Sequence, residues 1–370
     1  MFICSYFPPH IGGSENYIYK IAYGLSKIYG WKIVIVTTNQ DKKRIQIEQK
    51  DGIRLYRLPI LFTFSNTPIN PFWYFQIKKI IQKEQPILIN AHTPVPFIAD
   101  ITALICNKIP FVLTYHSGSM IKKNSLLDVP IFIYENVFLK YTLRKAKLII
   151  CSSNHIRNDF LKSYKNETIT VNPGVDDLGR HAKEISDRKI ILFVASLTKS
   201  QRYKGLDYLL QALVTLKKHM ENVRLFVVGE GDAVSDYRKL VSQLELNNEV
   251  VFTGSLMGRK LNQIYKKAHV LALPSLKEGF GMVLIEAMAQ STPVIGTDIG
   301  GIPDIITHGK EGFLVPPKNP DALAKAISLI LKNPSLARSM GKAGYEKVKK
   351  NYLWDTQVKR TKELFEKYFI

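Results

Sequence analysis

Two glutamates that flank a glycine-containing stretch are the first residues in this sequence whose types and spacing suggest chemistry. Glu278 and Glu286 have seven residues between them, in the segment ALPSLKEGFGMVLIEAMA at 272–289. At Gly279 and Gly281 the backbone can approach a ligand closely, because glycine has no Cβ. An ionised carboxylate can accept hydrogen bonds from two sugar hydroxyls. The alternative is that Glu278 is solvated and that Glu286 is an ordinary surface residue of a helix.

A strand and a helix must position these two carboxylates. Residues 270–273 end an apolar, strand-like run, 274–282 form a loop, and 283–289 begin a helix made of good helix formers. A helix N-terminus carries unpaired N–H groups and the positive end of a dipole, which suits a phosphate. The segment therefore predicts a phosphate-binding turn with carboxylates beside it.

A second glycine loop opens the chain, in FICSYFPPHIGGSE at 2–15. We predict a buried strand over 2–7, a loop at Gly12 and Gly13, and an amphipathic helix from Glu15 onward, which is the opening of a βαβ unit. The loop is not GxGxxG, so a dinucleotide fingerprint is not supported. His116 follows the predicted strand 110–115, at the strand end where parallel sheets bind ligands. The alternative for His116, and the interpretation we give His92, is a loop histidine paired with backbone.

Strands alternate with helices on both sides of a polar stretch at 176–189. This order predicts two mostly parallel sheets with right-handed crossovers. We place the first domain at 1–175, the linker at 176–189 and the second domain at 190–351. The C-terminal helix, 352–370, is expected to cross back onto the first domain. A substrate would lie between the domains, facing both sets of strand ends.

The charge of the chain is strongly positive, with 52 Lys and Arg against 31 Asp and Glu and a formal net charge of +21. Such a balance favours polyanions, whether nucleic acid, anionic headgroups or phosphate-bearing substrates. The excess is spread over both halves and no RNA-binding signature carries it, so we expect no nucleic-acid partner. A generally lysine-rich composition is the alternative explanation.

The cysteines and the apolar runs indicate the compartment. Cys4, Cys106 and Cys151 lack CxxC spacing, which argues against a zinc site or a disulfide framework and fits a reducing cytosol. No apolar run reaches the ~20 residues of a membrane span. The N-terminus lacks the basic start of a signal peptide. We therefore expect a cytoplasmic protein.

Four separated segments resemble glycosyltransferase family 4, the retaining nucleotide-sugar transferases of GT-B architecture. They are FPPHIGGSE near the N-terminus, VNPGVD at 171–176, FVASLTKSQRYKG at 193–205 and PSLKEGFGMVLIEAMA at 274–289. The resemblance covers essentially the whole chain. It implies an α/β GT-B fold, in which two Rossmann-like doubly wound domains face each other across a cleft. It also implies that 1–175 is the acceptor side and that 190–351 binds the nucleotide sugar.

The resemblance implies roles for individual residues. Glu286 resembles the glutamate that holds the ribose hydroxyls, and Glu278 its partner beside the donor sugar. His116 matches the histidine that meets the transferred sugar, so His116 and Glu278 are the candidate catalytic residues. The candidate donor-binding residues are Gly13, Arg202, Lys204, Gly229, Phe280, Gly281, Met282, Val283 and Glu286.

One position departs from the family pattern. Members often carry an arginine in a GRL sequence before the lysine that neutralises the diphosphate, which here corresponds to Lys204. Ser196 stands at the arginine's place. Arg202 is expected to supply the second positive charge, because a departing diphosphate needs cations or N–H groups to offset its growing charge.

The implied reaction is transfer of a sugar, with retention, from a GDP- or UDP-linked donor to an acceptor hydroxyl. The product belongs to glycolipid, cell-envelope polysaccharide or glycan synthesis. A front-face route is expected, with a covalent intermediate on Glu278 as the alternative. No DxD-like triplet is present, so we expect neither a metal site nor a cofactor, the nucleotide sugar being a substrate. Two other classes stay open: another GT-B enzyme, such as a phosphorylase or sugar-phosphate transferase, and a polyanion-binding protein.

The connection at 117–130, SGSMIKKNSLLDVP, follows His116 directly and suggests a membrane contact. Apolar residues next to Lys122 and Lys123 suit the surface of a bilayer, with cations on anionic headgroups. We therefore expect peripheral binding to the inner leaflet and a saccharide or lipid-linked acceptor. The alternative is a loop whose apolar residues pack on neighbouring helices.

Overall fold

The structure is a computed structural model that describes residues 1–10, 12–39, 44–64, 67–121, 128–177, 179 and 189–370. The chain divides into two compact units. The N-terminal unit contains Met1–Pro173 and Trp354–Ile370, and the C-terminal unit contains Gly174–Leu353. The first unit therefore ends two residues before the predicted boundary at 175. The predicted linker at 176–189 falls largely outside the described residues.

The N-terminal unit is built on a mainly parallel sheet and carries a small separate hairpin, β5–β6. Its strands are β1 (Phe2–Ile3), β2 (Ile33–Asn39), β3 (Gln46–Lys50), β4 (Ile53–Pro59), β5 (Phe62–Phe64), β6 (Thr67–Ile69), β7 (Ile89–Thr93), β8 (Phe111–Tyr115), β9 (Leu148–Cys151) and β10 (Glu167–Thr170). Among the described residues the strand order is β10-β9-β8-β7-β1-β2-β4-β3. Neighbouring strands are parallel except β3, which runs antiparallel to β4.

Helices cover this sheet. They are α1 (Gly13–Tyr29), α2 (Trp73–Glu84), α3 (Ile98–Ile105), α4 (Asp128–Tyr134) and α5 (Lys140–Lys145), with a π-helical turn (Glu135–Leu139) joining α4 to α5 and another at Ile156–Phe160. α2, α3 and the continuous α4–α5 helix bury Trp73, Ile98 and Leu143 in one core with the sheet. The C-terminal helix (Trp354–Phe369) packs on α1 within the same unit.

The C-terminal unit is built on a parallel sheet of β11 (Lys189–Val194), β12 (Val223–Val228), β13 (Val250–Gly254), β14 (Val270–Leu273), β15 (Val294–Thr297) and β16 (Gly312–Val315). Its helices are α6 (Leu206–His219), α7 (Val234–Gln243), α8 (Gly258–Lys267), α9 (Met282–Ala289), α10 (Ile302–Ile305), α11 (Pro320–Lys332) and α12 (Pro334–Asn351), with a 3₁₀ segment at Lys199–Lys204. The strand order is β13-β12-β11-β14-β15-β16. The chain therefore winds in opposite directions from the central pair β11 and β14.

Some predicted elements differ from the observed ones. The strand predicted over 2–7 ends at Ile3, although Cys4 and Phe7 are also buried. An apolar run indicates that residues are buried but not that they pair in a strand, which explains why the predicted strand is longer than the observed one. The strand β3 was not predicted, because its residues are mostly exposed at the edge of the sheet and lack an apolar pattern.

Among the described residues, no helix combines the length and the apolarity needed to cross a membrane.

Candidate active site

Apart from Gly13 and Gly229, the predicted donor-binding residues follow the carboxyl ends of β11 and β14. These two strands are parallel neighbours, with Leu192 opposite Leu271. The loop after β11 leads to Lys204, and the loop after β14 leads to Gly281. Loops that follow the central strands of an open parallel sheet diverge where the winding direction reverses, and the crevice between them is where such folds bind ligands.

Lys204 and Glu278 form an ion pair between these two loops. Lys204 Nζ lies 2.7 Å from Glu278 Oε2, and the side chains are only 20% and 10% exposed. Burial alone would lower the pKa of Lys204, but the adjacent Glu278 outweighs it and the pKa is raised. The loops are also joined by a hydrogen bond from Leu276 N to Tyr203 O, at 2.7 Å. Glu278 is therefore engaged with a cation and not solvated, so that alternative is wrong.

The glycine loop presents the N-terminus of α9. Gly281 precedes the helix with φ +107°, a conformation that favours glycine, and Met282 and Val283 form the partly exposed first turn. The loop is braced by the turn at 300–301, where Gly301 N donates to Glu278 O at 3.1 Å. Phe280 is buried and packs edge-on against Tyr352. The first-turn N–H groups and dipole of α9 can therefore face an anion beside the ion pair.

Glu286 lies one turn further along α9 and is partly exposed. Its Oε2 accepts a hydrogen bond from the hydroxyl of Tyr265, on α8, at 2.6 Å. Burial raises the pKa of Glu286, and the hydrogen bond from Tyr265 opposes this shift. A carboxylate fixed by one donor retains capacity for ligand hydroxyls. Sequence reasoning missed Tyr265, because nothing in its local pattern separates it from an ordinary core tyrosine.

Gly229 lies against the loop that follows β11. Its φ is +143°, and a Cβ at this position would lie 1.8 Å from Ala195 O. The neighbouring backbone is joined to the same loop, since Leu197 N donates to Glu230 O at 2.8 Å. The observed contacts of Gly229 therefore shape the loop that leads to Lys204.

Arg202 and Lys204 have different partners although they lie two residues apart. The Arg202 guanidinium stands 5.4 Å from the Tyr237 ring centroid and 3.9 Å from Asp236, both on α7. Its side chain is 46% exposed. Lys204 instead pairs with Glu278. The structure thus places Lys204 in the crevice and directs Arg202 towards α7.

The N-terminal unit pairs His116 with a second histidine. His92 Nδ1 and His116 Nε2 are 2.8 Å apart, so that one ring donates and the other accepts a hydrogen bond. Burial lowers the pKa of His116 to about 4, and burial together with His116 lowers that of His92. Both rings are therefore neutral at physiological pH. Our interpretation of His92 as a loop histidine paired with backbone is wrong, because His92 lies within β7 and its side chain binds His116.

A small cavity of about 40 Å³ adjoins the histidine pair within this unit. It is lined by Ser5, Ser14, Glu15, His92 and His116, among others. Glu15 is 5% exposed, accepts a hydrogen bond from Ser14 Oγ at 2.9 Å and lies 3.1 Å from His10 Nδ1. Gly13 begins α1 immediately before Ser14. The sequence predicts Glu15 only as the start of a helix, and the structure adds its carboxylate to this pocket as a polar group.

The candidate residues are thus divided between the units. Gly13 and His116 belong to the N-terminal unit, and the other predicted residues belong to the C-terminal unit. Within the described ranges, no group of three or more His, Cys, Asp and Glu side chains is placed to hold a metal ion.

Comparisons with known proteins identify the family. The model "Glycosyltransferase Family 4" matches residues 11–177, and "Glycosyl transferases group 1" matches residues 175–347. An uncharacterized glycosyltransferase of Methanocaldococcus jannaschii is 30% identical over 98% of this chain and 96% of its own. The chain belongs to the family 4, group 1 glycosyltransferases. The GPI3 subunit of phosphatidylinositol N-acetylglucosaminyltransferase from Saccharomyces cerevisiae is 25% identical over 98% of this chain and 81% of its own.

Solved structures show the GT-B fold with its two Rossmann-like domains. Sucrose-phosphate synthase from Thermosynechococcus elongatus matches with a TM-score of 0.81 and 24% identity, over 100% of this chain and 98% of that one. Anabaena HepE, solved with UDP and glucose, matches with a TM-score of 0.75 and 18% identity over 99% of both chains. The predicted family and fold class are confirmed.

Proposed function

We propose that this glycosyltransferase moves a sugar from a nucleoside diphosphate sugar to an acceptor hydroxyl, with retention of the anomeric configuration. The observation that carries the proposal is the partly buried ion pair of Lys204 and Glu278 beside the N-terminus of α9, in the crevice where β11 and β14 end. The complex of Anabaena HepE with UDP and glucose supports a UDP-linked donor. A GDP-linked donor is the second candidate.

The chemistry follows from the charges in this crevice. The bond between the anomeric carbon and the diphosphate oxygen breaks, and a bond to the acceptor oxygen forms on the same face of the sugar. The acceptor proton passes to the leaving phosphate. Lys204 and the N–H groups of Met282 and Val283 offset the charge that grows on this phosphate, and they act without a metal ion. Because Glu278 is engaged with Lys204, the front-face route is favoured over a covalent intermediate on that carboxylate.

The remaining residues bind the two ends of the reactants. Glu286, oriented by Tyr265, accepts the ribose hydroxyls of the nucleotide. In the N-terminal unit, His116 offers a neutral imidazole to a sugar hydroxyl, and Glu15 offers a carboxylate beside it. The acceptor is a saccharide or a lipid-linked saccharide, and the enzyme works in the cytoplasm or on the inner face of the membrane.

Nucleotide-induced stabilisation tests the proposal. We expect UDP or GDP to raise the Tm of the protein, because a ligand that binds only the folded state stabilises it. The cognate UDP- or GDP-sugar should be hydrolysed slowly without acceptor, and NMR of the first sugar product should show the donor's anomeric configuration. Stabilisation by inorganic phosphate alone would instead indicate a phosphorylase, and an inverted product would exclude the front-face route.

A further inference from the structure

The helices on one face of the N-terminal sheet expose a series of aromatic side chains on their outer side. α2, α3 and the α4–α5 helix share a core with the sheet on their inner side. On the outer side, Phe72 and Phe75 of α2 are 61% and 68% exposed, and Phe132 and Phe138 of the α4–α5 helix are 57% and 50% exposed. Large exposed apolar patches on a soluble unit mark interaction sites.

An apolar groove lies next to these helices, and aromatic contacts link it to the α4–α5 helix. The hairpin β5–β6 and α3 enclose a groove of about 390 Å³ that is lined by Leu61, Phe62, Ile69, Pro71, Phe97 and Ile101, among others. From the groove, the Phe97 ring lies 6.4 Å from that of Tyr134, which lies 6.4 Å from that of Phe138. We call this surface, from the hairpin through α2 and α3 to the α4–α5 helix, the apolar–basic face.

The charged side chains that are fully exposed on α2 and on the α4–α5 helix are all positive, and the acidic ones, Glu84, Asp128 and Glu135, are only partly exposed. The sequence from Gly52 to Lys83 contains no Asp or Glu, and Lys78, Lys79 and Lys83 of α2 are exposed. Lys140 and Arg144 are exposed on the α4–α5 helix. Glu135 of that helix is bound by Ser119 Oγ at 2.9 Å and Met120 N at 2.6 Å. Its negative charge is therefore partly compensated by these hydrogen bonds.

We propose that the apolar–basic face docks the protein on an anionic bilayer, with aromatic side chains at headgroup level and lysines on the lipid phosphates. Aromatic residues favour the membrane interface, and basic residues beside them are attracted to anionic leaflets. A second copy of this chain is a poor occupant, because pairing the face with itself would bring like charges together. The inference rests on the proposed function only in linking this docking to a membrane-proximal acceptor. It is independent of Lys122 and Lys123, which lie outside the described residues.

Vesicle co-sedimentation tests this surface directly. We expect the full chain to sediment with phosphatidylcholine vesicles that contain phosphatidylglycerol, and to remain in the supernatant with phosphatidylcholine alone. Each lysine near an anionic surface changes partitioning by roughly fivefold, so Lys78→Gln with Lys79→Gln should weaken it roughly 25-fold. Phe72→Ser with Phe75→Ser should also weaken partitioning, because less apolar surface is then buried in the bilayer. All four positions are exposed, so the variants should keep the wild-type Tm.

Matched variants in the C-terminal unit provide the control. Lys349 and Lys350 are adjacent and exposed on α12, and Leu329 is 48% exposed on α11. Lys349→Gln with Lys350→Gln changes the net charge equally, and Leu329→Ser removes an exposed apolar side chain. Both should bind vesicles as the wild type does. Equal weakening by these controls, or a wild type that stays in the supernatant at low salt, would overturn the proposal.

A depth measurement separates insertion from electrostatic attraction. Phe75→Trp should give fluorescence that brominated lipids quench more than that of the wild type. If binding occurs without added quenching, the aromatic part of the proposal is wrong. UDP- or GDP-dependent stabilisation in solution needs no vesicle, so a failure of membrane docking and a failure of the proposed function give distinguishable results.

Discussion

The cation that faces the donor phosphates is expected to be Lys204, and its role should appear in turnover rather than in binding. Negative charge on the diphosphate grows toward the transition state, so Lys204→Ala should lower kcat more than it weakens donor affinity. Loss of one preorganised charge partner costs roughly 10²–10³ in rate. The measurement is steady-state kinetics beside calorimetric donor binding. Lys199→Ala, an exposed lysine of the same segment, is the control and should behave as wild type.

Arg202 remains the predicted second cation, although its guanidinium is directed towards α7. If a bound donor draws Arg202 towards the diphosphate, Arg202→Ala should lower kcat with little change in donor affinity, in the pattern expected for Lys204→Ala. Wild-type turnover in this variant would assign the side chain to its observed contacts with Tyr237 and Asp236. The comparison therefore decides whether Arg202 compensates for Ser196.

Glu286 is expected to make donor binding depend on pH. A hydrogen bond to a charged group is worth about 1.5–3 kcal/mol, so Glu286→Gln should weaken nucleotide affinity roughly 10- to 100-fold. We expect the ionised form to bind the ribose hydroxyls, and burial raises the pKa of Glu286 above its ordinary value. Donor affinity should therefore fall as the pH drops through that raised pKa, because protonated Glu286 cannot act as a charged acceptor. Conversely, donor binding favours release of the proton from Glu286. Calorimetry across the acidic pH range should show this fall in affinity for the wild type and no such fall for Glu286→Gln. An unchanged affinity at neutral pH would remove Glu286 from the site.

His92 is expected to position His116 rather than to contact the sugar itself. The His92 Nδ1 atom makes the hydrogen bond to His116. The side-chain amide of an asparagine lies at roughly the place of Nδ1, whereas the longer side chain of a glutamine puts its amide at the place of Nε2. His92→Asn should therefore keep most activity and His92→Gln should lose it, with similar Tm values. Nitrogen NMR of His116 should show one dominant tautomer in the wild type and in His92→Asn. Equal activity in both variants would show that the pair has no positioning role.

At the scale of elements, the sequence predicted what short-range patterns can carry. The order of strands and helices, the parallel sheets and the glycine loop before α9 follow from apolar runs and from glycine chemistry. The contacts that complete the site are long-range, and no local pattern contains them. Tyr265 reaches Glu286 from a different helix, and His92 reaches His116 from a neighbouring strand. The contact of His92 with His116 depends on the register between β7 and β8, which no local sequence pattern contains.

The contact between α1 and the C-terminal helix is a further long-range feature that can be tested. Val358 is buried, and a Cβ on Gly24 would lie 2.5 Å from its Cγ2. Gly24→Ala should destabilise through this clash despite better helix propensity, and Val358→Ala should destabilise by leaving a void. The double variant lets the new methyl fill that void, so the free energies of unfolding should be non-additive by about 0.5–3 kcal/mol. Additive effects in denaturant unfolding would contradict this packing.

At the scale of the whole molecule, we expect the net charge of +21 to act on two kinds of anion, the donor phosphates and anionic lipid headgroups. We expect the partly buried Lys204 to meet the donor phosphates at short range, where screening by salt is weak. In the proposed docking, the exposed lysines of the apolar–basic face attract the lipid headgroups through water, where salt screens strongly. Rising ionic strength should therefore reduce vesicle binding well before it reduces nucleotide affinity.

Metal dependence can be predicted from the positive charge that the protein places where we expect the donor diphosphate to bind. Lys204 carries a full charge held by Glu278, and the N-terminus of α9 adds a partial charge through its N–H groups. Together they can offset the negative charge of the departing diphosphate, a role that a divalent ion has in other transferases. We therefore expect sugar transfer to survive EDTA with little change in kcat. The assay should use purified protein with the cognate donor, and Lys204→Ala in parallel. If the wild type loses activity in EDTA and recovers it with Mg²⁺ or Mn²⁺, the metal carries this charge and Lys204 has another role.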